Sequence, residues 1–108
     1  MVKKWQKSSP KIQRCHTRRA YIYRLYETSD YDTFYIGATR SSADRKLLEH
    51  KRHARNGIKG VHYDYFRTRN VDNMRIEVVG IVKYKTALQL KLAVDDYVHL
   101  YDPPLNST

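Results

Sequence analysis

The sequence predicts an α+β fold: a small three-stranded antiparallel sheet flanked by helices, in the order β-β-α-α-β-α. Two observations predict it. Two tyrosine-bearing runs of alternating large and polar residues, Ala20 to Leu25 and Thr33 to Gly37, are separated by the polar segment Glu27 to Asp32, the pattern of a hairpin. The rest of the chain carries three helical patterns and one β-branched run, Met74 to Val82, which supplies the third strand.

Each element has its own signal. Antiparallel pairing of the first two runs brings Tyr23 close to Tyr35, twelve residues further on. Arg40 to Asn56 is the first helix, with Ser41 or Ser42 as N-cap, Asp44 in the first turn, Leu47 and Leu48 as buried positions and Gly57 as the stop. Asn56-Gly57 and Gly60 mark a loop, after which His62 to Arg69 is a short helix directing Tyr65 and Phe66 inward. Thr86 N-caps a last helix reaching Leu100, with Leu88, Leu92 and Val98 to Leu100 along its faces, and Pro103-Pro104 ends it.

Composition narrows the function. At 108 residues the chain is one domain. Its 21 Lys and Arg against 11 Asp and Glu leave a formal charge of +10, more than solubility needs, which points to a polyanion and first of all to nucleic acid. Seventeen of the 21 cations lie at or before Arg69, so the partner is expected across that part. Residues 1–19 carry Lys3, Lys4, Lys7, Lys11, Arg14, Arg18 and Arg19 without an acid and read as a DNA-contacting arm ahead of the domain at 20–108, with Trp5 as an anchor or a base-stacking group. The lone Cys15 excludes an internal disulfide and a thiolate cluster, so a reducing, intracellular setting is expected, cytoplasmic or nucleoid-associated. No segment has the length and apolarity of a membrane span. A protein-interaction domain would need an exposed apolar patch, and the helices are expected to offer none in surplus.

The first helix carries the strongest charge signal. Arg45, Lys46, His50, Lys51, Arg52, His53 and Arg55 face only Asp44 and Glu49 as compensating acids, so most are expected to meet solvent or phosphate. Arg40, Lys46, Lys51, Arg52 and Arg55 are the candidate DNA contacts. His16, His53 and His99 lack zinc-site spacing and are read as surface or DNA-facing.

Tyr21-Ile22-Tyr23, Tyr35-Ile36-Gly37, the Arg45 to His50 helix and Pro103-Pro104-Leu105-Asn106 together resemble the GIY-YIG nuclease domain over roughly residues 20 to 106, and the closing segment is similar to that of phage T4 endonuclease II-like members. The resemblance implies a divalent-metal-dependent endonuclease acting on double-stranded DNA, with Mg²⁺ or Mn²⁺ as cofactor. Tyr23 would be the general base, its pKa near 10 lowered by neighbouring cations, and Tyr35 would orient the attacking water. His50 would hold or relay the proton, Arg45 would meet the phosphate, and Asn106 would brace the site. His62 matches a phosphate-contacting position, and Gly37 would let backbone or phosphate approach closely.

Three positions depart from the pattern. Tyr21 stands where the family has glycine, tolerable if its ring points away from the site. Counting forward from Tyr35 selects Arg45 as the catalytic cation, whereas counting back from His50 selects Lys46; Arg45 is preferred for its forked donors. Ala93 falls where the family has its metal-binding glutamate, so the chain is expected to be inactive, whether by deliberate substitution or as a natural non-cutting relative. A single domain with one site would nick, and a homodimer would be needed to cut both strands. The alternative is a nucleic-acid-binding module without chemistry, using the same helix and arm.

Overall fold

In the computed structural model, which describes residues 17–106, the elements follow the expected order. Strands β1 (Arg18–Glu27) and β2 (Asp30–Thr39) form a hairpin, and β3 (Met74–Tyr84) pairs with the other side of β1, giving an antiparallel sheet ordered β2-β1-β3. All three strands outrun the apolar cores read from the sequence, because cross-strand partners carry the ladder into polar residues. Arg18 and Arg19, assigned above to the arm, pair with Tyr84 and Lys83 and so belong to the sheet. Residues 1–16, with Trp5, Cys15 and His16, lie outside the described residues.

Helix α1 (Ala43–Arg55) is opened by Ser42, whose hydroxyl accepts the Arg45 N–H at 3.2 Å. It stops at Asn56, before Gly57 at φ 76°, a left-handed conformation that favours glycine. After the short α2 (Val61–Thr68), a single 3₁₀ turn at Val71–Asn73 leads into β3. Helix α3 (Ala87–Tyr101) starts with a reciprocal capping box between Thr86 and Gln89.

Strand alternation sorts the core into two layers. Tyr23 and Leu25 point to one face, where Ala54, Tyr63 and Phe66 of α1 and α2 meet them together with Met74 and Leu105. Ile22, Phe34 and Ile36 point to the other, beneath Val94, Tyr97, Val98 and Tyr101 of α3. Opposite Ile22, Gly80 leaves the space that the Tyr97 ring fills, and β3 bulges by one residue between Gly80 and Val78. Arg24, also on the α3 side, lies between the rings of Tyr31 and Phe34 at 3.8 and 3.7 Å from their centroids.

Two apolar expectations are corrected. Leu48 is 66% exposed, because the buried stripe of α1 runs through His50 and Ala54 at a spacing of four. On α3 the inward stripe is Val94, Tyr97, Val98 and Tyr101, which leaves Leu88, Leu92 and Leu100 exposed, so the helices do present surplus apolar surface.

The tail closes the edge of β2. The Leu105 N–H donates to the Phe34 carbonyl at 3.0 Å. Asn106 then acts as a strand in miniature: its Oδ1 accepts the Ile36 N–H at 2.8 Å and its Nδ2 donates to the Ile36 carbonyl at 2.9 Å. Asn106→Ala is therefore expected to cost about 1–2 kcal/mol in urea unfolding. Faster amide exchange at Ile36 should accompany it.

Candidate functional site

Tyr23 sits mid-strand on the central strand, opposite Gly37 on β2 and Val78 on β3, and is almost wholly buried. Its ring leans across Gly37. A Cβ at that glycine would overlap the Tyr23 hydroxyl and come within 2.8 Å of the Tyr35 ring, so an alanine has no room. The space expected to admit a phosphate is thus taken by the Tyr23 ring itself.

From Tyr23 a chain of hydrogen bonds runs through the layer between sheet and helices. The Tyr23 hydroxyl lies 2.7 Å from Nε2 of His50, Nδ1 of His50 lies 2.9 Å from the Tyr63 hydroxyl, and that hydroxyl lies 3.0 Å from Nδ1 of His53. With Tyr23 donating to His50, His50 to Tyr63 and Tyr63 to His53, each of the three contacts has one donor and one acceptor. Tyr35 flanks it, with its ring centroid 6.3 Å from that of Tyr23, and His62 stacks on Tyr35 at 4.2 Å with the rings 14° from parallel. Asn106 braces the backbone of Ile36, between Tyr35 and Gly37, and does not touch the rings.

Burial decides the charge states. It pushes the Tyr23 phenol well above its ordinary pKa, and the neighbouring Tyr35, Tyr63 and Glu49 push the same way. The Tyr63 phenol rises to about 12 for the same first reason. His50 is pushed down to about 3, by burial first and then by the Lys46 charge, and is neutral at physiological pH. Burial lowers His62 as well. The cation-lowered Tyr23 expected from the sequence is therefore replaced by a neutral phenol bonded to a neutral imidazole.

The cations of α1 divide by direction, at about 100° per residue. Lys46, one turn before His50, is half-buried, acts on the His50 charge and donates from Nζ to Glu49 at 2.6 Å. Arg45, preferred above, points outward with Leu48, Glu49 and Arg52 around a hollow on the outer face of the helix. The site-facing cation is therefore Lys46. Lys51 and Arg55 reach Asp72 instead, by the carbonyl and the carboxylate respectively. Arg40 joins Lys46 in a groove of about 220 Å³ lined by Ala20, Ala38, Thr39 and Leu90.

Position 93 lies on α3, one turn after Leu90 and half-buried. The residues present do not fit a divalent ion there. Alanine has no donor atom, Asp95 is paired with Lys91 at 3.1 Å, Asp96 is exposed, and among the described residues no group of three His, Cys, Asp or Glu is placed to share a metal. No helix among the described residues is long and apolar enough to cross a membrane.

Comparison of the chain with protein-family models, with curated proteins and with solved structures finds no match. The site therefore rests on its own geometry, which includes two residues outside the expected catalytic set: His53, expected at the surface or facing DNA, and Tyr63, whose sequence context leaves it between a site and a packing role. The signal for His53 was its spacing: with Lys46 and His50 it makes an i, i+4, i+7 stripe that ends beside the buried Ala54.

Because unfolded histidine titrates near 6.5 and buried His50 near 3, unfolding below pH 6.5 takes up a proton. This share of the stability is complete above pH 6.5 and declines as pH falls, by up to about 1.4 kcal/mol per pH unit, with His62 adding in the same direction. Urea midpoints measured between about pH 7 and 5 should drop accordingly, and His50→Gln should flatten the decline.

Proposed function

We propose that this chain has the architecture of a GIY-YIG-type endonuclease for double-stranded DNA, with Ala93 in place of the carboxylate that its chemistry requires. The observation that carries this reading is the buried contact between Tyr23 and His50, set beside Tyr35 in a protein of net charge +10. A hydrogen-bonded core of two tyrosines and two histidines is more than packing requires, since apolar side chains of the same volume would fill the layer without desolvating four polar groups.

On this reading each group has its own work. Tyr23 is no standing base, because its phenol stays protonated, but it can pass a proton. Its oxygen takes a proton from the attacking water while its own goes to Nε2 of His50. The Nδ1 proton of His50 moves to Tyr63, and that of Tyr63 to His53. The net transfer is one proton from water to His53 while the water oxygen bonds to phosphorus. Tyr35, fixed by its stack on His62, orients the water, and Lys46 with Arg40 meets the non-bridging oxygens. A divalent ion held by an acid at 93 would supply charge at the departing 3′ oxygen. Without that acid the departure is unassisted, so the chain as it stands binds DNA rather than cutting it.

Ala93→Glu is expected to introduce Mg²⁺- or Mn²⁺-dependent nicking of supercoiled plasmid. Tyr23→Phe on that background should abolish nicking while gel-shift binding persists. A folded Ala93→Glu protein that binds DNA yet leaves plasmid intact with either metal would overturn the nuclease reading.

One observation favours a second reading. Alanine at 93, with no metal group among the described residues, suits a nucleic-acid-binding module that performs no chemistry. On that reading binding weakens steeply with salt, ignores Mg²⁺ beyond its ionic strength, and stays without cleavage after Ala93→Glu.

A further inference from the structure

The face of the sheet that carries Tyr23 continues beyond the helices. Tyr21 lies two residues before Tyr23 on β1, so it points to the same face and not away from the site, as its tolerance had seemed to require. It is half-buried, and its cross-strand partner Ile81 is 55% exposed. Val78, opposite Tyr23, is 44% exposed. One pair further along, Arg19 stands directly opposite Lys83, both exposed.

That last pair requires an explanation. Like charges directly opposite each other on an antiparallel ladder repel. Neither residue forms an ion pair with an acid among the described residues, and residues 1–16, which lead into β1 at this end, contain five Lys or Arg and no Asp or Glu. Thr17, Arg18, Arg19 and Lys83 line a hollow of about 250 Å³ at the same end. The charges oppose folding of the free protein and suit an anion laid across the strand ends.

We propose that Tyr21, Ile81 and Val78, with Arg19 and Lys83, form a binding platform for single-stranded nucleic acid that runs from the Tyr23 site to the end of the sheet. A duplex would present phosphates alone to this surface and leave a tyrosine and two aliphatic side chains against them unsatisfied. An unpaired strand presents both parts: bases with open faces for Tyr21 and the aliphatic groups, and phosphates for Arg19 and Lys83. A second copy of the chain is the weaker occupant, because it would bring another strongly cationic surface against the first. The platform names the form of substrate for the site proposed above and rests on that reading: the strand at the Tyr23 pocket is unpaired on the side leading to Tyr21.

The test is fluorescence anisotropy of the full chain in EDTA with a labelled deoxyuridine oligomer, a uridine oligomer and a DNA duplex of equal length. Tyr21→Ala should weaken both single strands about tenfold and the duplex little, Tyr21→Phe should restore binding, and the two oligomers tell which sugar is preferred. Arg19→Gln with Lys83→Gln should weaken single-strand binding and lower its salt slope while raising the Tm of the free protein, since the repulsion is relieved. Equal losses for duplex and single strands in Tyr21→Ala would overturn the platform, as would unchanged oligomer binding in that variant. Sedimentation showing a dimer that Ile81→Ser dissociates, with oligomer binding intact, would assign the surface to self-association. The measurement needs no cleavage, so loss of single-strand binding in Tyr21→Ala supports the platform even if Ala93→Glu never cuts, and cutting by Ala93→Glu leaves the nuclease reading intact if the platform fails.

Discussion

The hydrogen bond between Tyr23 and His50 is the constraint around which this domain is arranged. It joins the central strand to the first helix across the middle of the core, and it can be made only because Gly37 leaves the neighbouring strand without a side chain at that point. Burying two polar groups there would be unfavourable if either were left unpaired, and the chain through Tyr63 to His53 removes that difficulty by giving each group a partner. The same burial keeps Tyr23, His50 and Tyr63 uncharged in the resting state. Under the function proposed above, such a site would move protons along a preformed path instead of storing charge.

Around that core the cations of the first helix serve three purposes. Lys46 depresses His50 while Glu49 holds it in place, Lys51 and Arg55 fasten the helix to the turn at Asp72, and Arg45 with Arg52 remains on the outer surface. A single basic stretch in the sequence is therefore split by the helical period into a tuning group, structural ties and an outward-facing remainder.

The fold was legible because its signals are local. Period-two alternation at Ala20 to Leu25, the cap at Ser42, one of the two serines expected, the Thr86 cap and the Gly57 stop each depend on a few neighbouring residues, and all four lie in the structure where the pattern put them. The site was legible in part: Tyr23, Tyr35, His50 and His62 do converge, and Asn106 does brace the strand beside them. What escaped was phase and burial. One residue of helical phase separates Lys46 from Arg45, and a count from the strand cannot fix it because the loop between has its own length. The rise of the Tyr23 pKa depends on how completely the helices cover the ring, which no linear pattern records. Tyr63 drew no assigned role because its partners, His50 and His53, lie thirteen and ten residues away on the preceding helix, across a loop.

The sheet also leaves little opportunity for unwanted strand addition. On one side the amide of Asn106 satisfies both free backbone groups of Ile36. On the other, β3 is bent by its bulge near Gly80 and carries Arg75 and Lys83 along its length. A neighbouring molecule in extended form thus meets a rim capped at Ile36 on one border and a bent, charged one on the other, so fibrillar stacking of these small sheets is discouraged at both.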